Sequence, residues 1–341
     1  MKVPKAEQLA SGAWSIRMRL NGQSVYVYGN SERECIRNAE ALKAKHRVGE
    51  YIPAKAIDKT VGAILDEYID ARRAVRSPAT IRGYTMIRKH RFQSIMGTPV
   101  KSVKNWQKVI DQEYKFASAK TVKNAWGLIA AAFRHAKLDV PDVSLSAVPP
   151  AQIEYLTYED IKIFLDAIHG KYYETAALLA LHSLRCSEVM GLDWRNVDIE
   201  RNCIHVSGAT VRDEHNQFVD KIENKNETST RTIPIMIPRL KELLIEQHQQ
   251  AGKVVTENPN TIYNKLNTLC QQHNLPQVGW HGLRHTFASL AYHLEMPELV
   301  AAKIGGWKDL STMHKIYTHI AQQDVERYGM EMKNFYNAMD K

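Results

Sequence analysis

No helix or strand can run through DVPDVSLSAVPP, Asp139 to Pro150. Its three prolines lack an N–H and fix φ, and each biases the residue before it toward extended backbone. The chain on either side must therefore build its own core, with a linker at 141–151. A second break, YIPAKAID from Tyr51 to Asp58 with Pro53 inside it, separates a small first segment. At 341 residues, 44% of them hydrophobic, the chain is long enough for two or three cores. The expectation is a multidomain, mainly α protein divided at 1–55, 56–140 and 152–341.

The first segment reads as a three-stranded β-sheet plus a helix. Trp14, Ile16, Met18 and Leu20 alternate with Ser15, Arg17 and Arg19, the pattern of a half-buried strand. Asn21-Gly22 marks a hairpin turn, and Val25 and Val27 alternate with Tyr26 and Tyr28 on the return. Residues before Gly12 supply a third strand. Ser31 and Glu34 form a capping box for a helix to about Val48. Arg17 and Arg19 occupy the polar face. They read either as a solvated strand face or as a sheet laid in a DNA groove.

The second segment reads as a helical bundle. Val61, Ile64, Leu65, Tyr68 and Ile69 follow helical spacing. Ser77-Pro78 is an N-cap with a first-turn proline, opening a helix with Ile81, Tyr84 and Ile87 on one face. Arg82, Arg88, Lys89 and Arg91 lie on its other side, as a solvated face or a DNA contact. Helices near Trp106–Phe116 and Lys120–Lys137 complete the bundle, the latter pointing Val122, Trp126, Ile129 and Phe133 inward.

The third segment mixes helices and strands. Thr157 caps one helix, residues 172–192 form a helix or helix pair, and CIHV at Cys203–Val206 is a short strand. Lys221 to Ile237 reads as a hairpin, and helices follow near Leu240–Gln250 and Thr261–His273. Net charge is +9, which favours a polyanionic partner, either nucleic acid or an anionic membrane surface. The four cysteines, Cys35, Cys186, Cys203 and Cys270, lie far apart and fit neither a zinc ribbon nor a disulfide framework. No apolar run could span a bilayer and no secretory signal opens the chain, so a cytoplasmic protein with no membrane role is expected. Neither a G-x-x-x-x-G-K-[ST] loop nor a G-x-G-x-x-G after a strand is present, so no nucleotide cofactor is expected.

Charged residues stand out in three places. In LHSLRCSEVMGL, Arg185 and Glu188 interrupt an otherwise apolar helical segment, three apart on one face. A charge in such a setting is expected to be paired and aimed at something. Lys225 sits in IENKNETSTRTIPI at an expected turn, where a loop lysine is ordinarily solvent-exposed; Lys221 lies nearby. His281 and Arg284 stand three apart at a helix start. Gly305-Gly306 ends a helix before Trp307, and Tyr317 follows in a helical pattern, where a lone tyrosine is ordinarily a packed side chain.

Taken together, LHSLRCSEVMGLDW, HGLRHTFAS and IGGWKDLSTMHKIYTH resemble the motifs of the tyrosine recombinases, the phage integrase family. The resemblance covers the whole chain and is most specific in the last third. It implies an N-terminal arm-type DNA-binding module at 1–55, a helical core-binding domain at 56–140 and a mixed α+β catalytic domain from 152. It implies a metal-independent transesterification with Tyr317 as nucleophile, Arg185 and Arg284 clamping the phosphate, and His281 assisting proton transfer. Lys225, or Lys221, would be the general acid, Trp307 a phosphate contact or packing group, and Glu188 the residue orienting Arg185 or His281. Arg17, Arg19, Arg82, Arg88, Lys89 and Arg91 are the expected DNA contacts. The implied partners are double-stranded DNA with core and arm-type sites and a homo-tetramer on that DNA, with room for a host bending protein and an excision factor. The tail 321–341, with Val325, Tyr328, Met332, Phe335 and Met339 on one face, would dock on a neighbouring protomer or fold back. Two other readings keep the motifs: a type IB-like topoisomerase, and an integrase relative that binds DNA without catalysis.

Overall fold

The computed structural model describes residues 4–9, 12–20, 23–47, 59–149, 154–221 and 230–339. The chain divides into two compact units, Met1–Pro149 and Pro150–Lys341. The Asn21-Gly22 turn, the whole Tyr51–Asp58 break and Lys225 lie outside the described residues.

In the first unit, β1 (Glu7–Gln8), β2 (Trp14–Leu20) and β3 (Gln23–Gly29) form one antiparallel sheet in that order. Ile16, Met18 and Leu20 are buried with Cys35 and Ala39 of helix α1 (Glu32–Arg47), so the expected alternation holds from Ile16 to Leu20, while Ser15 is buried as well. Ser31 Oγ accepts from the Glu34 N–H at 3.2 Å. The Glu34 carboxylate reaches back one residue further than a strict capping box, to the Asn30 N–H at 2.9 Å. Arg17 and Arg19 are exposed on the other sheet face beside Tyr26 and Tyr28. The Arg17 guanidinium donates to Ser24 Oγ at 3.0 Å and lies 5.8 Å from the Tyr26 ring centroid.

A separate core in the same unit is built from α2 (Val61–Arg72), α3 (Pro78–His90), α4 (Gln93–Met96), α5 (Trp106–Glu113) and α6 (Ala119–His135). Thr60, Ser77, Asn105 and Ser118 each cap a helix with a side-chain oxygen. Val61, Ile64, Leu65 and Tyr68 meet Val122, Trp126, Ile129 and Phe133 in the interior. Each such side chain contributes about 1.5–3 kcal/mol on burial.

The second unit has α7 (Tyr158–Ile168), α8 (Glu174–Leu181), α9 (Cys186–Gly191), α10 (Pro238–Glu246), α11 (Pro259–Gln272), α12 (Trp280–His293), α13 (Glu298–Gly305) and α14 (Ser311–Met339). β4 (Val197–Asp198), β5 (Cys203–Val206) and β8 (Arg231–Pro234) make an antiparallel sheet in that order; β6 (Ala209–Arg212) and β7 (Phe218–Lys221) pair with each other. The hairpin expected over Lys221 to Ile237 is therefore corrected. β7 has no buried residue and takes β6 as partner. β8 buries Arg231 and Ile233, so it pairs with β5, where Ile204 and Val206 share its apolar face. The 172–192 segment is a helix pair. The break falls at 182–185, so Arg185 caps α9 rather than sitting inside one helix with Glu188. α14 runs unbroken into the expected tail as far as Met339, with Val325, Met332, Phe335 and Met339 exposed along it rather than folded back. Among the described residues no helix is long and apolar enough to cross a membrane.

Candidate active site

Glu188 sits at the centre of the site. Its side chain is 4% exposed, and two arginines share its carboxylate. Arg185 donates from NH1 to Oε1 at 2.5 Å, and its own backbone N–H donates to Oε2 at 3.0 Å. Arg231 approaches from β8 and donates to Oε1 at 3.3 Å and Oε2 at 3.0 Å. Burial alone would raise the Glu188 pKa. The Arg231 hydrogen bonds and charge, then the Arg185 charge, outweigh it and hold the group below the ordinary carboxylate value.

The same two arginines fix the double-glycine turn. α13 ends in a Schellman motif: Gly306 N–H donates to Lys303 O at 3.3 Å and Trp307 N–H to Ala302 O at 3.0 Å. Gly306 takes φ +64°, and a Cβ there would lie 2.7 Å from an Arg231 nitrogen, so both backbone and space require glycine. A side chain at Gly305 would collide with the Trp307 ring. Arg231 Nε donates to Ile304 O at 2.7 Å, and Arg185 NH2 donates to Gly306 O at 2.6 Å.

Arg284 comes from the first turns of α12 and is 3% exposed. Its NH1 donates to Ser183 O, and its guanidinium carbon lies 4.4 Å from the Trp307 ring centroid. Ser183 holds φ +101°, a costly backbone state for a residue with a side chain, in the turn that leads into Arg185. Arg284 NH2 is buried and has no hydrogen-bond partner. Burial, then the Arg185 charge, push its pKa down to about 9, which leaves it a cation at neutral pH. Trp307 also stacks on Phe287 at 6.1 Å.

His281 is exposed one turn before Arg284. Partial desolvation, then the Arg284 and Arg185 charges, hold its pKa below the ordinary value. Its ring lies 6.4 Å from that of His285, whose pKa falls to about 4 through burial and then the His281 and Arg284 charges. These histidines are neutral at physiological pH. Such a site presents guanidinium cations and a neutral imidazole to an oxyanion, the equipment of phosphoryl transfer by charge stabilisation.

Tyr317 lies on α14. Its ring packs on Tyr292 at 5.2 Å and its hydroxyl is buried without a hydrogen-bond partner. Burial, then the Glu298 carboxylate, raise its pKa. Glu298 in turn meets His314, one turn before Tyr317, at 2.9 Å. Arg185, Glu188, Arg284 and Trp307 are thus brought together, and Tyr317 packs with Trp307 against the same small apolar cluster around Ala288, Ala301 and Met313. Lys221 is half-buried at the end of β7.

In the bundle, Arg88 is held by Asp66 through two 2.9 Å hydrogen bonds, and Arg91 by Glu113 and Phe116 O at 3.3 Å each. Lys89 is exposed and Arg82 half-buried. Arg231 is the residue that sequence reasoning missed. Its signal was present: it falls in phase with Ile233 and Ile235, on the buried side of the β8 alternation.

The sequence model of the phage integrase family matches residues 154–324. A tyrosine recombinase XerC-like protein of Caldanaerobacter subterraneus subsp. tengcongensis is 26% identical over 346 residues, covering 86% of this chain and 87% of that one. The fold is similar to that of the Tn1549 transposon integrase in complex with circular intermediate DNA (TM-score 0.64, 21% identity, 79% of this chain and 100% of that one). It is also similar to a lambda integrase tetramer bound to a Holliday junction (TM-score 0.59, 16% identity, 92% and 94%). The chain belongs to the phage integrase family and is a tyrosine recombinase of the integrase type.

Proposed function

We propose that the protein is a site-specific recombinase that cuts and rejoins double-stranded DNA through a 3′-phosphotyrosine on Tyr317, integrating and excising a mobile element. The observation that carries this reading is the buried, unpartnered NH2 of Arg284. It lies beside Arg185 and Arg231, which share the Glu188 carboxylate. A buried donor without an acceptor is costly, and a phosphate oxygen satisfies it with a charge-assisted hydrogen bond.

Tyr317 Oη attacks the phosphorus, forming the phosphotyrosine bond and releasing a 5′-hydroxyl. The 5′-hydroxyl of the partner strand then attacks that bond and frees the tyrosine. Arg185 and Arg284 stabilise the charge on the non-bridging oxygens, His281 handles the tyrosine proton, and Trp307 contacts or packs the phosphate. Lys225, outside the described residues, or Lys221 protonates the leaving 5′-oxygen. The phosphotyrosine keeps the energy of the phosphodiester, so the strand is resealed without a nucleotide.

Residues 1–55 would bind arm-type sites through Arg17 and Arg19, and residues 56–140 the core site through Arg82, Arg88, Lys89 and Arg91. Pairing of Arg88 and Arg91 within the bundle leaves exposed Lys89 the simplest of these contacts. The exposed apolar residues of α14 support docking of its end on a neighbouring copy, within a tetramer. A host bending protein and an excision factor would join arm and core sites, on bacterial DNA in the cytoplasm.

Incubation with a suicide core site without metal, followed by a denaturing gel, should show a protein–DNA adduct. A two-site assay should then give recombinant product. Relaxation of supercoiled DNA without exchange would favour a topoisomerase, and binding without any adduct would favour an inactive relative. Binding should fall steeply with salt, as expected for phosphate contacts. Arg17→Ala or Arg19→Ala should weaken arm-site binding and spare core cleavage.

A further inference from the structure

We propose that Asp198, Cys203 and His205 form a Zn²⁺ site on the outer face of the β4–β5–β8 sheet. The sheet's register assembles it. Asp198 on β4 stands opposite Cys203 on β5, and His205, two residues on, stands opposite Thr232 on β8. Val197, Ile204, Val206 and Ile233 are buried on the core side. Strand alternation therefore sends Asp198, Cys203, His205 and Thr232 to the other face together.

One donor atom from each of the three residues lies within 4.8 Å of the others. Cys203 Sγ is 3.9 Å from His205 Nε2. A tetrahedral zinc with Zn–S of about 2.3 Å and Zn–N of about 2.0 Å holds such donors about 3.6 Å apart. The pair thus needs a closure of only a few tenths of an ångström. The imidazole is already oriented: Nδ1 lies 2.8 Å from Thr232 Oγ1. A hydrogen bond from Nδ1–H leaves the Nε2 lone pair facing the sulfur, the way metal-binding histidines are commonly held by a second group. The Asp198 carboxylate is also steadied, since Oδ1 accepts from the Arg201 N–H at 2.8 Å. Each carboxylate oxygen has more than one lone pair, so a donor remains for a metal.

Thiolate, imidazole and carboxylate together suit Zn²⁺ rather than Mg²⁺ or Ca²⁺, with water in the fourth position. Binding displaces the Cys203 thiol proton to solvent. The ion would tie β4 to β5 and, through His205 and Thr232, brace β8. The opposite face of β8 carries Arg231 and its bonds to Glu188. The site is thus a brace beneath the arginine cluster, separate from the strand-transfer chemistry.

The test uses the full chain, stripped with a chelator and titrated with Co²⁺ as a spectroscopic stand-in. One equivalent should bind with a thiolate-to-cobalt charge-transfer band and tetrahedral d–d absorption, and Zn²⁺ should displace it. Cys203→Ser should abolish the charge-transfer band, whereas Cys270→Ser should keep it. Thr232 is exposed, so Thr232→Val tests the site without disturbing the buried thiol. It should retain the band with Co²⁺ affinity about 10–100-fold weaker. Absence of the band in the folded wild-type chain, its survival in Cys203→Ser, or unchanged affinity in Thr232→Val would overturn the proposal.

Discussion

The arginine cluster and the helix that carries Tyr317 are built on opposite terms. Glu188, Arg185 and Arg231 interlock through several hydrogen bonds, and these arginines also bind the backbone of the Ile304–Gly306 turn. Tyr317 has a buried hydroxyl with no partner, a raised pKa and a place in a small apolar cluster against Tyr292. The difference separates two tasks of one reaction. Charge stabilisation works best when the donors are fixed before substrate arrives, since no reorganisation is then needed at the transition state. On the proposed reading of Tyr317 as nucleophile, its hydroxyl is kept protonated by burial and has no hydrogen-bond partner, so its activation would fall to DNA or a neighbouring copy.

The largest effect is expected where the cluster is most interlocked. Arg231→Ala leaves buried Glu188 with Arg185 alone of its two arginines and removes the bond to Ile304 O, and should lower folding stability by about 3 kcal/mol, measured by denaturant unfolding. A loss below about 1 kcal/mol would mean the cluster is not held as described. Arg284→Ala leaves Glu188 paired and removes the proposed phosphate contact. Single-turnover cleavage should fall about 10²–10³-fold, with stability changed much less. Arg284→Lys should recover only part of the rate, because a lysine lacks the planar fork.

Acid should loosen the same side of the comparison. His182, 1% exposed beside the Ser183 turn, accepts a hydrogen bond from the Met236 N–H at 2.9 Å. Burial pushes its pKa down to about 4. Its folded pKa is below the unfolded value, so the unfolded chain binds the extra proton. The stabilisation is complete above about pH 6.5 and is lost as pH falls toward 4, by up to about 3 kcal/mol. His182→Gln should flatten that slope in pH-dependent unfolding. The smallest effect belongs to the nucleophile's side. Glu298→Gln removes the carboxylate that opposes Tyr317 ionisation and weakens the link to His314, so cleavage should rise about two- to threefold with little change in stability. Slower cleavage would mean that the link helps catalysis.

Much of this contrast was legible in the residues. Arg185 and Glu188 stood out because charge in an apolar segment needs a partner, and the double glycine marked the end of a helix. Arg231 is not legible as buried, because the alternation over Lys221 to Ile237 reads as a hairpin without showing which strand β8 takes as partner. Pairing with β5 rather than β7 is decided by which strand offers an apolar face, information spread over residues 203–235. The helix break before Arg185 was also hidden, since it depends on Ser183 being held, through its carbonyl and its hydroxyl, by partners more than a hundred residues away. The alternation of β2 and the caps of the bundle helices were legible because local spacing alone determines them.

The most direct test identifies the residue that becomes joined to DNA. A suicide-site adduct formed without metal is digested, and the nucleotide-bearing peptide is sequenced by mass spectrometry. The account predicts the nucleotide on Tyr317, with no adduct in Tyr317→Phe. A nucleotide on Tyr292, or an adduct that persists in Tyr317→Phe, would contradict it.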